Sequence, residues 1–591
     1  MENESKQNEY AKHLIKKSIA IGIGYIIMLC CIIYFTIPFI NFRSRGFYFI
    51  LALICIIPFT IIYTLIMKKR QKTTTKVEFN SYKYERKTGK FVKVKRDISE
   101  KYVFSRLISQ GIGIVILFFV GLVIVFSIIG VKLFHAKAYS KQLDITTGNA
   151  QDLNTVFDYE EGEVLLPKID KALAFKLAEA RLEEYGSQYS IDIDNFALIS
   201  VERNGKTELL RVTPLEYATP FVALSKMNQG TAGYIEVNVI TKEATLVTYS
   251  ENEGLKYMPS GVFGKDLDRH IRSKYPTIMY YSKYFEIDNE GNPYWIVPTI
   301  KKEIGVFYGE TPSGCLVVNP RNGNIDKYEL NDPKAPQWIQ RSVDEKVVEM
   351  QANNALTYKN GFWNTLFAKK EVFQLSDGYN YFVKDGHTYY VSCITSPNLN
   401  DQTSIGFIAI NLKTKESVRY SCSGITEMRA REIAQDDARV KAQSLDSTWP
   451  ILITYHDVPT YFVVLKNNEQ PQKTVLINVE DGTIVAMGEN LEEAKQEYEK
   501  LLSTKGIIEP TTPKKVILTV DRVRDLGDKK QFTVTNEEFQ TIFFEVDVNL
   551  SLVARFLQSH DTIQVTYKEY SGYNLVCLLY TSPSPRDRSV S

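Results

Sequence analysis

Three uncharged apolar stretches within the first 134 residues constrain this chain more than any other feature: Ser18–Phe42, Gly46–Met67 and Leu107–Val131. Each holds at least 22 residues. That is enough to cross a hydrocarbon core of ~30 Å at ~1.5 Å per residue. Pro38 and Pro58 fall inside these stretches, and membrane helices tolerate proline. The first stretch is too long for a cleavable signal, and no small-x-small site precedes the next loop, so it reads as a retained helix. None of the three contains Asp, Glu, Lys, Arg or His, which argues against an intramembrane proton or ion pathway.

The distribution of Lys and Arg sets an expected orientation. The leader carries Lys6, Lys12, Lys16 and Lys17, and the first loop only Arg43 and Arg45. The second loop, Lys68–Arg106, has fourteen basic residues against Glu78, Glu85, Asp97 and Glu100, and is expected to stay in the cytoplasm beside anionic lipid. Its charge reads as a topology signal rather than a docking site. Everything after Phe134 is then expected outside the cytoplasm, in a multi-pass cell-membrane protein with a cytoplasmic N-terminus. Residues 1–134 carry 21 Lys/Arg and 7 Asp/Glu; the rest carries 50 and 62. A basic head on an acidic body leads us to expect no nucleic-acid partner. The expected partners are the lipid bilayer and a protein, peptide or cell-wall component.

The body is read as a repeat. Four segments share one pattern: GYIEVNVITKEA (233–244), GCLVVNPRNGNI (314–325), GFIAINLKTKES (406–417) and KTVLINVEDGTI (473–484). They align on Asn238, Asn319, Asn411 and Asn478, at spacings of 81, 92 and 67 residues. Apolar alternation ahead of each Asn predicts a half-buried strand, and the Asn starts a turn. Gly323 and Gly482 suit a tight hairpin; Lys242 and Lys415 occupy the same place, so those two turns are expected to differ. Aromatic strands are expected at Pro220–Leu224, Pro293–Val297, Thr388–Val391 and Thr460–Val464. Helices are expected over Asp170–Tyr185, Lys265–Lys274, Ser342–Asn353, Thr426–Gln443 and, after the last hairpin, Leu491–Leu502, where Asn490 and Glu493 make a capping-box start.

The units Asn292–Val297 with Leu316–Ile325, and Val458–Val464 with Leu476–Val485, resemble PepSY-like domains. That family pairs a helix with a "PYW"-type strand and a hairpin of the form V-x-V-[DN]-x-x-[TN]-G-x-[IV]. Copies one and three lack the turn glycine. The resemblance implies tandem small α+β modules outside the cytoplasm that bind or restrain a partner, and it brings no catalytic residues. The expected fold is therefore α+β: a membrane anchor (1–134), a stalk (135–164), modules at 165–255, 256–335, 336–422 and 423–505, and a small, OB-like β-barrel (514–576) after a proline-containing break at Glu509–Pro513. Residues 577–591 open with CLLYTSPSPRD, which matches a frame translation of a transposon-type sequencing adapter, so natural sequence is expected to stop near Val576.

Chemistry-bearing motifs are sparse. The histidines, His13, His135, His270, His387, His456 and His560, form no ligand pair at metal-binding spacing. No nucleophile elbow, P-loop or dinucleotide fingerprint occurs, and Gly111 and Gly113 read as helix-packing residues. His456-Asp457 reads as a hairpin turn, the acidic runs at Asp158–Glu161 and Asp436–Asp437 as solvated surface, and Cys315 as a buried hydrophobe. A disulfide between Cys393 and Cys422 is an open alternative. We expect no catalytic, cofactor or metal residues, no cofactor, and a non-enzymatic envelope protein. The alternatives are a hydrolase with a site between modules and an accessory subunit of a transport or sensing complex.

Overall fold

The computed structural model describes residues 20, 22–71, 79–85, 90–96, 100–148, 157, 166–384, 386–397, 403–467, 470–508, 514–535, 541–570 and 573–581. The fold is α+β. Among the described residues two helices are long and apolar enough to span a bilayer, Arg45–Met67 and Ser105–Ile129. Only 17% and 11% of these windows is buried, so they are not core helices of the body. The apolar helix before them, Gly22–Thr36, is shorter; it ends where Ile37, at φ 39°, precedes Pro38. Gly111 packs its helix closely, since a Cβ there would lie 3.1 Å from Thr60 of the neighbouring helix, whereas Gly113 has no such neighbour. Two strands, Phe79–Glu85 and Lys90–Arg96, pair as a hairpin within the basic loop.

The ends of all three helices meet the body at one place. After the first, Phe39 packs edge-on against Tyr280, and Ile40 N–H donates to Pro276 O at 2.8 Å. At the start of the second, Arg45 donates to Tyr308 Oη at 2.9 Å. After the third, Gly130 lies so close to Tyr308 that a Cβ would come within 2.3 Å of the ring. The residue between these contacts, Phe307, is 2% exposed and packs on Tyr48 and Phe126. It sits at the tip of a long hairpin, Pro293–Ile304 with Tyr308–Val318.

Four sheets carry the repeat, each built around four antiparallel strands. The strand orders are Ala197–Arg203, Lys206–Pro214, Gly233–Asn238, Ala244–Thr248 in the first and Tyr284–Ile287, Pro293–Ile304, Tyr308–Val318, Ile325–Glu329 in the second. They are Asn380–Lys384, His387–Thr395, Thr403–Asn411, Ser417–Tyr420 in the third and Ile451–Tyr455, Val458–Asn467, Gln470–Asn478, Val485–Gly488 in the fourth. The aromatic segments of copies two to four are strands. Pro220–Leu224 is not: Thr219 caps a helix, Pro220–Ser225, with proline at its first position, where its missing N–H costs nothing. The segment read as a stalk joins the body, since Ile145–Gly148 pairs parallel with Ser417–Tyr420.

The aligned asparagines make one turn. Asn238, Asn319 and Asn411 each accept from the N–H groups two and three residues on, at 2.8–3.2 Å. Four residues on, φ is +68° at Lys242, +79° at Gly323 and +70° at Lys415. The lysine turns therefore do not differ from the glycine turn; lysine is held in a conformation that costs a side chain ~1 kcal/mol. Copy four departs instead: Asn478 N–H reaches Ile484 O, one residue further than in the other copies.

Each helix starts at a side-chain cap: Asp170, Asp266, Asp344, Thr426 and Asn490 accept from N–H groups of the first turn, which fixes where helix begins. These helices fill the spaces beside the sheets, because most strands bury both faces. Lys171–Leu182 covers one face of the first sheet through Ala174 and Ala178. Leu267 and Ile271 of Leu267–Lys274 lie in the core shared by the first and second sheets. Val347 of Glu345–Tyr358 packs toward the second sheet and Val348, Ala352 and Leu356 toward the third. Ala430 and Ala434 of Glu427–Asp436 lie between the third and fourth. Leu491–Thr504 closes the fourth through Ala494, Tyr498 and Leu502.

The C-terminal unit is a six-stranded sheet around one core. Its strand order leaves Lys514–Thr519 and Arg522–Asp525 as edges, so among the described residues the small barrel expected here is a half-barrel. Strand Tyr573–Thr581 runs on past Val576, with a bulge at Cys577.

Replacing the exposed Lys242 by Gly is expected to stabilise the protein by up to ~1 kcal/mol, and Asn411→Ala to destabilise it by about 1 kcal/mol through two unmet half-buried N–H groups. Urea unfolding of the detergent-solubilised chain measures both; a neutral or destabilising Lys242→Gly counts against the shared turn.

Candidate functional site

All four modules contribute to one cavity of about 500 Å3. Asp170, at the start of the helix Lys171–Leu182, accepts from Leu173 N–H at 2.9 Å and pairs with Lys466 of the fourth sheet. Arg211 projects from an inner strand of the first sheet and donates to Phe196 O at 3.1 Å. Arg341, 2% exposed, precedes the helix Glu345–Tyr358 and donates to Leu198 O at 2.8 Å. Tyr379 and Tyr381 come from the third module, and Trp449 and Phe462 from the fourth. Gly378 makes room for Trp449: a Cβ there would fall 1.8 Å from the indole ring.

A buried polar knot holds this wall. Gln340 N–H donates to Glu286 of the second sheet at 3.0 Å. Its side-chain oxygen accepts from Ser200 N–H of the first sheet at 3.1 Å and from Thr388 Oγ1 of the third at 2.6 Å. Arg341 places its guanidinium over the rings of Tyr284 and Tyr381, at 5.4 and 5.2 Å, and 3.9 Å from Glu286 Oε1. Tyr381 in turn donates to Glu345 in the first helical turn.

The lining carries three cations, Lys171, Arg211 and Arg341, and three acids, Asp170, Asp194 and Glu345. Burial, with Arg341 nearby, pushes Arg211 down to about 10. Burial, then Arg211, also holds Lys171 below its ordinary value. Burial raises Glu286 to about 7, against the pull of Arg341. Arg211 Nε, Arg341 Nε and Trp449 Nε1 are buried and lack acceptors. A larger cleft, about 730 Å3, lies between the helix Leu491–Thr504 and the C-terminal sheet. Its lining carries five acids, Asp437, Glu493, Glu497, Glu545 and Asp547, against Lys500 and Lys529, with Lys529 and Glu545 paired at 2.6 Å, and none of its lining atoms is an orphaned buried donor. The four-module cavity is therefore the candidate site.

Residues singled out in the sequence lie elsewhere. His456 and Asp457 form a turn at φ 50° and 60°, with His456 Nε2 3.3 Å from Glu499 Oε1. Cys393 and Cys422 are separate buried thiols, so they form no disulfide; burial raises both, Cys422 to about 12. Cys315 is also a buried thiol. Asp436 pairs with Lys441 at 2.7 Å, and Asp158–Glu161 lies outside the described residues. Sequence reasoning missed Arg211 and Arg341. The signal was present at Leu209-Leu210-Arg211-Val212, where a charge interrupts an apolar run; Arg341, between Gln340 and Ser342, gives none.

No family model matches the chain, and no curated protein does. Among solved structures, the chain is similar over 23% of its length to one described as structural mimicry for functional antagonism (11% identity, 88% of that chain, TM-score 0.11). It is similar to the HINa domain of Ifi202 in complex with a 20 bp double-stranded DNA (10% identity, 23% of this chain, 90% of that chain, TM-score 0.11). It is also similar to a murine DNA-binding protein bound to double-stranded DNA (10% identity, 36% and 96%, TM-score 0.11). At these scores the likenesses carry no argument about fold or ligand. The expectation of no nucleic-acid partner is corrected: two of these proteins are described as bound to DNA, and the charge argument behind the expectation does not exclude it. Net charge averages over the whole body and cannot bar a locally basic face: Lys514, Lys515, Arg522 and Arg524 are all exposed on the C-terminal sheet.

Glu286 gives a pH test. A carboxyl raised to about 7 by burial keeps its proton in the folded state and loses it when unfolded, so stability is full below pH ~4.5 and falls as pH rises toward 7. The loss is on the order of 3 kcal/mol. Glu286→Gln is expected to flatten this part of the profile, read by urea unfolding between pH 5 and 8; an unchanged slope argues against a protonated Glu286.

Proposed function

We propose that this is a non-enzymatic, membrane-anchored envelope protein whose repeated body binds a protein, peptide or cell-wall partner outside the cytoplasm. The observation that carries the reading is the cavity lined by all four modules, Asp170 and Arg211 from the first, Tyr284 from the second, Arg341 and Tyr381 from the third, Trp449 from the fourth. A concave site with aromatic walls and a few converging polar groups is the form binding sites take. The modules are PepSY-like in this proposal: a helix, an aromatic strand and an Asn-initiated hairpin recur in copies two to four.

The proposed topology has three spans, with 18–42 as the first. Support comes from the meeting of three helix ends at the Phe307 hairpin, since this sets the basic loop at the opposite ends of the same helices, on the side where Lys and Arg are retained. Tyr34, Tyr48, Phe126 and Tyr308 near that junction suit the aromatic belt of an interface.

Two measurements test this. In intact cells a membrane-impermeant maleimide is expected to label Glu251→Cys at once and Lys93→Cys only after permeabilisation; the reverse pattern inverts the topology. Crosslinking on cells followed by solubilisation of the full chain is expected to recover one specific partner, and Trp449→Ala to reduce its yield at least about tenfold. Equal recovery with the variant removes the cavity from the reading.

A further inference from the structure

We propose that the four-module cavity takes a small organic oxyanion, a carboxylate or phosphate monoester on an aromatic or apolar body, held by the guanidinium groups of Arg211 and Arg341. The inference rests on the binding role proposed above and names the chemistry of what the cavity holds.

The first support is a missing counter-charge. Among the described residues no carboxylate lies within 4.0 Å of Arg211. The nearest acid acting on it, Asp170, is engaged by Lys466 and by the helix start. Arg341 has one acid, Glu286, at 3.9 Å, and burial favours the neutral form of that acid. Among the described residues no carboxylate lies closer than 3.9 Å to either of these two neighbouring guanidinium groups, although Asp170, Asp194 and Glu345 share the lining. Such an arrangement is costly unless an anion completes it.

The second support is donor geometry. Arg211 Nε, Arg341 Nε and Trp449 Nε1 carry buried N–H groups without acceptors, and all three residues line the same cavity. Buried donors are rarely left unmet. Guanidinium presents paired N–H groups to two oxygens of a carboxylate or phosphate, which sets the ligand's head. Lys171 lies on the same lining, as do the acids Asp170, Asp194 and Glu345.

The body of the ligand follows from the remaining walls. Tyr379, Tyr381, Trp449 and Phe462 offer flat apolar faces, and about 500 Å3 falls in the range that holds a small molecule. Ile193 and Tyr379 of the lining are 41% and 38% exposed. A free peptide C-terminus and a phosphate monoester share this head chemistry.

The test is thermal unfolding of the full chain in detergent at fixed ionic strength, with benzoate, phenyl phosphate or neutral benzamide at millimolar concentration. At least one anion is expected to raise Tm by about 3 °C or more, with benzamide inert. A response to benzoate alone assigns a carboxylate, to phenyl phosphate alone a phosphate, and to both an unselective oxyanion site. Arg211→Met is expected to leave the ligand-free Tm unchanged or higher, since it removes an uncompensated buried cation, and to abolish the shift. If Arg211→Met aggregates on gel filtration, Arg341→Lys is read instead: it keeps the charge, loses the paired donors and is expected to lose most of the shift. The inference is overturned if neither anion shifts Tm, if benzamide matches them, or if the variant that folds responds as the parent does. Partner recovery by crosslinking, measured in parallel, separates the two readings. A partner recovered without any anion response leaves the binding role standing and removes only the anion.

Discussion

The arrangement of the body depends on a buried polar knot at Gln340 and Arg341. These two side chains reach Ser200 and Leu198 of the first sheet, and the segment's backbone and guanidinium engage Glu286 of the second. Thr388 of the third sheet completes the set. Apolar contact alone is non-directional and tolerates sliding. Buried hydrogen bonds do not, because a shift of one residue would strand donors away from water. The knot therefore fixes how three sheets sit against one another, and the cavity wall inherits that precision.

The sheets need such fixing because none of the four is self-sufficient. The strand Val458–Asn467 is buried at eight of its ten positions, far from the alternation of a sheet with one wet face. One helix per copy covers one face only, and the next copy's helix covers the other. This accounts for the helix Leu491–Thr504, which follows the last hairpin without a fifth repeat sheet: it covers the face that a further copy would otherwise cover. It also explains why the cavity forms where copies meet, since each copy's interior is already filled by its own helix.

Much of this was legible from the sequence, and the misses have physical causes. The five helices were visible because each begins at Asp, Thr or Asn ahead of an apolar stripe. The Asn-based hairpins were visible because a side-chain turn leaves a fixed spacing. Pro220–Leu224 misled because aromatic and branched residues suit a strand, while a threonine cap followed by proline outweighs them. Lys242 and Lys415 misled because tertiary pairing on both sides of the turn overrides the preference for glycine. The site itself stayed hidden for a different reason. Its residues lie far apart in the chain, from Asp170 to Phe462, and no local motif joins them. Only Arg211 left a trace, as a charge set within an apolar run, and a lone charge does not reveal what it faces.

The tip of the hairpin Pro293–Val318 has a mechanical consequence. Phe307 is clasped by Tyr48 and Phe126, Gly130 admits Tyr308 against the helix end, and the chain after the first helix is stitched to Pro276. A body hung on a flexible leash would tumble independently of its anchor. Here the attachment is a stiff bracket built from the same two strands that form the middle of the second sheet. Tilting or spreading the greasy helices must therefore lever that sheet directly, with Glu286 and its neighbours on the adjoining strand moving in step.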